Sequence, residues 1–116
     1  MENLQDVKLL RIFIGESDHH GHIPVYEKIV LEARKAGLAG ATVFKGVMGY
    51  GNTSIIHTSK ILELSEDLPL IIEIVDRIDK IEKFQDVLNK IFEEANCGGL
   101  ITIEKAEVIK YVSSKK

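Results

Sequence analysis

Apolar residues recur along this chain with two different periods. Lys8 to Gly15, KLLRIFIG, is short, branched and aromatic and stops on glycine, as a buried strand does. Pro24 then suits the first turn of a helix. Tyr26, Ile29, Val30 and Ala33 continue it at helical spacing, and Gly37 stands where a helix C-terminus takes a left-handed residue. Ala41–Met48 and Leu68–Asp76 read as a second and a third strand. Asp79 and Glu82 have capping-box spacing ahead of a stripe of Ile81, Phe84, Leu88, Ile91, Phe92 and Ala95. Gly98 and Gly99 end that helix, and Leu100–Tyr111 reads as a long last strand. The order βαββαβ, with right-handed crossovers, predicts a ferredoxin-like α+β sandwich: a four-stranded antiparallel sheet with both helices on one face. A doubly wound α/β fold is the weaker alternative with so few elements.

The alternation also assigns the faces. Leu10, Ile12 and Ile14 with Leu70, Ile72 and Ile74 should meet the helices. Leu9, Phe13, Ile71 and Val75 are then left on the open face, with Arg11 and Glu73 as a cross-strand pair among them. Burying such side chains is worth about 1.5–3 kcal/mol each, and a patch of this kind is seldom left in water. Either the last strand or the tail folds over it, or copies of the chain associate through it; the second is the expectation.

Length and charge narrow the classes. The 116 residues fit one domain, 1–116, with residues 112–116 as a flexible tail. A net charge of −3 argues against a generic nucleic-acid binder. Cys97 is the single cysteine, so no disulfide can close within the chain, which is compatible with a cytoplasmic setting. The N-terminal residues do not read as a signal peptide, and no apolar run approaches the ~20 residues of a membrane span.

Candidate chemistry is sparse. His19, His20 and His22 stand with Asp18 between the first strand and helix. Imidazoles ligate divalent metals, but adjacent residues rarely point one way, and a solvated capping loop explains the same residues. Ser17, Ser54, Ser59, Thr53, Thr58 and Cys97 could supply a nucleophile, without a local signature such as G-x-S-x-G. Gly46, Gly49 and Gly51 crowd the end of the second strand, before a long polar stretch. A turn would use them, and so would a loop whose amides cradle an anion.

The phrase AGLAGATVFKGVMGYG, with this order of elements, resembles the PII signal-transduction superfamily. RIFIGESDHHG, AGLAGATVFKG, IHTSKILELSEDLPLIIEIVD and GGLITIE resemble more closely the uncharacterised PII-like family. The resemblance implies a homotrimer with sheets facing inward. It also implies a small-molecule effector, such as an adenine nucleotide, held in clefts between subunits, and a mobile T-loop (here residues 49–67) that docks on a membrane transporter or enzyme. Gly46, Gly49, Tyr50 and Gly51, with Asn52, Thr53 and Ser54, match the T-loop base. Asn96, Gly98 and Gly99 match the second loop of the cleft.

The departures matter as much. One extra residue between Thr42 and Gly51 calls for a β-bulge at Gly46. The lysine-bearing loop of PII is not evident in ANCGGLI, and EKAEVIKY offers Lys105 and Lys110 where PII has arginines. A less charged nucleotide or another anion therefore suits the cleft better than a triphosphate. The expected protein is a non-enzymatic regulator. A metal-binding protein is the alternative and a small hydrolase the third reading.

Overall fold

The computed structural model describes residues 4–51, 56–58 and 67–114. Strand β1 (Val7–Gly15) leads through a two-strand ribbon, β2 (His19–His20) and β3 (Ile23–Pro24), into helix α1 (Val25–Lys35). Strand β4 (Thr42–Lys45) follows. Then come a second ribbon, β5 (Met48–Gly49) and β6 (His57–Thr58), strand β7 (Pro69–Arg77), helix α2 (Ile78–Ala95) and strand β8 (Leu100–Lys105). The four main strands form one antiparallel sheet in the order β4-β7-β1-β8. This is the expected ferredoxin-like sandwich.

Strands β1 and β7 pair over nine residues each, from Val7↔Arg77 to Gly15↔Pro69, without a break. Leu10, Ile12, Ile14, Leu70, Ile72 and Ile74 are buried with Val25, Ile29 and Ala33 of α1 and Ile81, Phe84, Leu88 and Ile91 of α2. The face assignment read from the alternation is therefore correct. Gly37 has φ +77 and closes α1, its N–H donating to the Arg34 carbonyl while the Leu38 N–H donates to Ala33.

Several boundaries differ from the expected ones. Pro24 precedes α1 rather than opening it. Helix α2 starts one residue before Asp79, with Arg77 at the N-cap and no side-chain cap, so the Asp79–Glu82 capping box does not form. Asp79 instead pairs with Arg77 (3.2 Å). Asn96, not a glycine, takes the left-handed position (φ 50, ψ 42) that ends α2. The last strand stops at Lys105, because β1 begins at Val7 and offers no partner beyond it. The Ala106 N–H still reaches the Val7 carbonyl (3.1 Å). The chain then crosses the open face toward β4, where the Tyr111 hydroxyl donates to the Ala39 carbonyl (2.9 Å). The tail thus covers one end of the open face, which the weaker alternative foresaw.

Asp76, 1 % exposed, is the buried charge among the described residues. Its carboxylate accepts from the N–H of Ala39 (2.8 Å), ahead of β4, and of Arg77 (2.7 Å), at the entrance of α2. Replacing Asp76 with alanine would leave a buried donor unsatisfied. Hydrogen bonds to charged groups contribute about 1.5–3 kcal/mol, so the unfolding free energy should fall by that amount, seen as a lower urea midpoint with an unchanged slope.

Candidate functional site

The sheet order decides what one chain can bring together. The end of β4 (Lys45, Gly46) lies beside Pro69 and Leu70 of β7. These in turn pair with Gly15 and Ile14 of β1, and Phe13 pairs with Leu100 of β8. The two candidate loops, after β4 and before β8, therefore leave the same end of the sheet at its opposite edges. Three strand spacings, roughly 14 Å, separate them. Between them, Glu16 N–H donates to the Leu68 carbonyl (2.9 Å), Ser17 N–H to Asp67 (2.9 Å), and Lys45 pairs with Glu16 (2.6 Å).

The glycines of these loops have different surroundings. Gly46 continues the β4–β7 register, its N–H donating to the Pro69 carbonyl (2.7 Å). The bulge expected there does not occur, and the strand breaks after Gly46 instead. A Cβ on Gly46 would stand 2.8 Å from Pro69 Cγ, and one on Gly49 3.1 Å from the same atom. Both glycines thus make room for the Pro69 ring. A Cβ on Gly99 would stand 2.7 Å from the Phe13 carbonyl and 2.7 Å from the Phe92 ring. Gly51 differs: among the described residues nothing lies within 4 Å of where its Cβ would be, and its φ is ordinary. Tyr50, 71 % exposed, stands beside it above the β5–β6 ribbon, with Val47, Met48 and Ile56 also exposed. Asn52, Thr53 and Ser54 lie outside the described residues. Asn96 is the turn that releases the chain toward Gly98 and Gly99.

The three histidines do not converge. His19 and His20 are neighbours in β2, so their side chains leave opposite faces of the ribbon. His19 Nδ1 donates to the Ser17 carbonyl (2.5 Å), and His20 Nε2 donates to Glu94 on α2 (3.0 Å). That hydrogen bond holds the Glu94 carboxyl below its ordinary range. Among the described residues no three histidine, cysteine or acidic side chains are placed to share a metal. Burial pushes the Cys97 thiol up, the opposite of what activates a cysteine.

On the open face Arg11 Nε donates to Glu73 (2.8 Å), as expected. Arg11 also meets Glu104 of β8, which the sequence reading missed. The Glu73 hydrogen bond raises the guanidinium further above its ordinary value. Leu9, Phe13, Ile71 and Val75 flank this cluster, half-buried, with Phe44 and Leu100 exposed at its margins.

A family profile described as "Uncharacterized ACR" (DUF190) matches residues 7–108. The chain belongs to the DUF190 family. A UPF0166 protein of Aquifex aeolicus is 42 % identical over 88 % of this DUF190 chain and 92 % of that protein. A UPF0166 protein of Methanocaldococcus jannaschii is 37 % identical over 89 % and 92 %. Among solved structures, the fold is similar to CPII, a nitrogen regulatory PII-like protein of Thiomonas intermedia K12, bound to ADP, AMP and bicarbonate. That likeness has a TM-score of 0.68 at 16 % identity and covers 90 % of this chain and 89 % of CPII. CPII bound to ADP, AMP and acetate gives a TM-score of 0.64 at 15 % identity, over the same shares of the two chains. The DUF190 chain therefore has a PII-like fold. No helix among its described residues is long and apolar enough to cross a membrane.

The glycine surroundings yield a direct comparison. Gly99→Ala should lower stability by about 1–3 kcal/mol, the range of overpacking, because its Cβ meets a backbone carbonyl. Gly51→Ala should stay within about 0.5 kcal/mol of the parent, as surface changes do. Paired urea melts of the two variants check both.

Proposed function

We propose that this DUF190 protein is a non-enzymatic, PII-like regulator that works in the cytoplasm. It binds a small effector, an adenine nucleotide or another anion, in clefts between copies of the chain. The observation that carries this reading is the position of the two loops. One copy keeps them at opposite edges of its sheet, whereas an edge-to-edge neighbour would bring the Gly49–Gly51 base of one copy against the Asn96–Gly99 loop of the next. The loop above the β5–β6 ribbon would then signal to a transporter or enzyme target. The fold likeness to CPII, whose structures hold ADP, AMP and bicarbonate, supports that ligand class. The half-buried apolar open face supports a homotrimer, because a face of this kind finds cover.

Light scattering at micromolar concentration should return three chain masses for the native protein. Phe13→Glu should split the assembly, since it places a carboxylate in an apolar contact. A monomer mass for the parent chain would overturn the trimer.

A thermal-shift screen over ADP, AMP, ATP, bicarbonate and divalent metals tests the ligand class. A ligand at 100 times its Kd adds about 2.7 kcal/mol of stability. Gly51→Val should then abolish the ligand's heat of binding while circular dichroism and mass are unchanged. A Cβ at Gly51 meets no described part of its own chain, so affinity lost with circular dichroism and mass unchanged reports the cleft and not the fold. Unchanged affinity in the folded variant would place the site elsewhere.

A further inference from the structure

Helix α2 ends on the charge that its C-terminus disfavours. A helix C-terminus carries partial negative charge and is stabilised by a cation. The last turn of α2 holds Glu93 and Glu94 and no basic residue. Just beyond it the Asn96 N–H donates to the Glu93 carbonyl (3.3 Å) and the Cys97 N–H to the Phe92 carbonyl (3.3 Å). These two bonds close the helix and release the chain toward Gly98 and Gly99. The group that reaches this turn from outside is His20. The β2–β3 ribbon packs against both helices, and the half-buried His20 places Nε2 3.0 Å from Glu94 Oε1. Its imidazole also acts through space on Glu32 of α1, which pairs with Lys28 (3.0 Å). Lys90 and Lys28 add positive charge around Glu94, and Lys35 does so around Glu32. Strand β3, Ile23 and Pro24, brings no titratable side chain. Both carboxyls are held below their ordinary range, Glu94 first by the His20 hydrogen bond and Glu32 first by that of Lys28. They stay ionised from about pH 5 to 8, the range in which an imidazole changes charge.

We infer that the His20–Glu94 contact is a proton-sensitive clasp that positions the Asn96–Gly99 loop, with protonated His20 supplying the cation that the last turn of α2 lacks. The sign follows from the partners. Protonation turns a neutral hydrogen bond into a charge-assisted one and sets a positive charge at the helix end. The clasp is therefore tightest on the acid side of the imidazole range and slackens as the pH rises, when a neutral N–H on a carboxylate is all that remains. The carboxylate side of the pair is lost only at lower pH, as Glu94 itself protonates. A tighter last turn holds Asn96 in place and, through it, the start of the loop. The consequence for ligand affinity rests on the reading of that loop as one wall of the cleft; the clasp itself does not.

Amide hydrogen exchange of the full chain, corrected for the intrinsic rate at each pH, tests the clasp. The protection factors of the Asn96 and Cys97 amides should be about threefold higher on the acid side of the imidazole range than on the basic side, the order of effect that a part-exposed pair at a helix end provides. His20→Gln keeps an N–H donor and cannot be protonated, so it should abolish that difference. His22→Gln, at the exposed turn of the ribbon, should leave it unchanged. Equal protection at both pH values in the parent, or a difference that survives His20→Gln, would overturn the clasp. Calorimetry with ADP then reads the consequence. The parent should lose about threefold more affinity than His20→Gln between the two pH values, because a loop already in place costs less to order on binding; the comparison cancels the titration of ADP itself. Exchange that follows His20 while ADP affinity does not would overturn the positioning of the cleft wall. A parent that binds neither ADP nor any other compound of the screen would overturn the cleft reading, and the exchange measurement still decides the clasp.

Discussion

The structure depends on one constraint: its two central strands are apolar on both sides, and the helices cover one. The unbroken pairing of β1 with β7 fixes every side chain of both strands to a face, because a one-residue slip would exchange the two sets. The all-aliphatic set goes under α1 and α2 and makes the core. The other set keeps Leu9, Phe13, Ile71 and Val75 half in water, with Arg11, Glu73 and Glu104 at its centre. That charged cluster is too exposed to add much stability. Its value is in register. Arg11 reaches Glu73 and Glu104 together only when β7, β1 and β8 are aligned as they are, and a neighbour laid on the face must not strand those charges.

The same alternation made most of the fold legible. Both helices and the two central strands are set by long periodic patterns, and such patterns tolerate few alternatives. The sequence misled where a partner rather than a propensity decides the boundary. Residues after Lys105 have strand character, but the β1–β8 register ends at Lys8↔Lys105, so they cross the face instead. Asp79 has the spacing of a cap, but Ile78 is already helical, and the carboxylate turns to Arg77. Asp76 gave no local signal at all. Its partner Ala39 is 37 residues away in sequence, and only the closed fold shows that its carboxylate ties β4 to the entrance of α2.

The candidate site was legible in outline and ambiguous in cause. Closely spaced glycines announce close approach, but not to what. At Gly46 and Gly49 the neighbour is the ring of Pro69, and at Gly99 it is Phe13 and Phe92, so these three serve packing whether or not a ligand lies nearby. No composition rule separates them from Gly51, whose Cβ position has no described atom within 4 Å. The histidines mislead in a similar way. Three in four positions look like a ligand set, yet a ribbon sends consecutive side chains to opposite sides, and His20 is already engaged by Glu94.

These surroundings bear on how a site of this kind works. Gly46 and Gly49 press on Pro69, and Pro69 opens β7 opposite Gly15, where β1 ends. The base of the loop is thus wedged against the central strand pair. Gly99 is wedged against the same pair from the other edge, through the carbonyl of Phe13. Two loops roughly 14 Å apart therefore lean on the same central strand pair within a chain. On the proposed assembly, the distance between the loops of two copies would be set by the placement of the neighbouring copy. A ligand held between loops of two copies would then report on their relative position and leave the core of each undisturbed. On the proposed reading, regulation would need no deformation of the sandwich, only an interface whose geometry a bound anion can select.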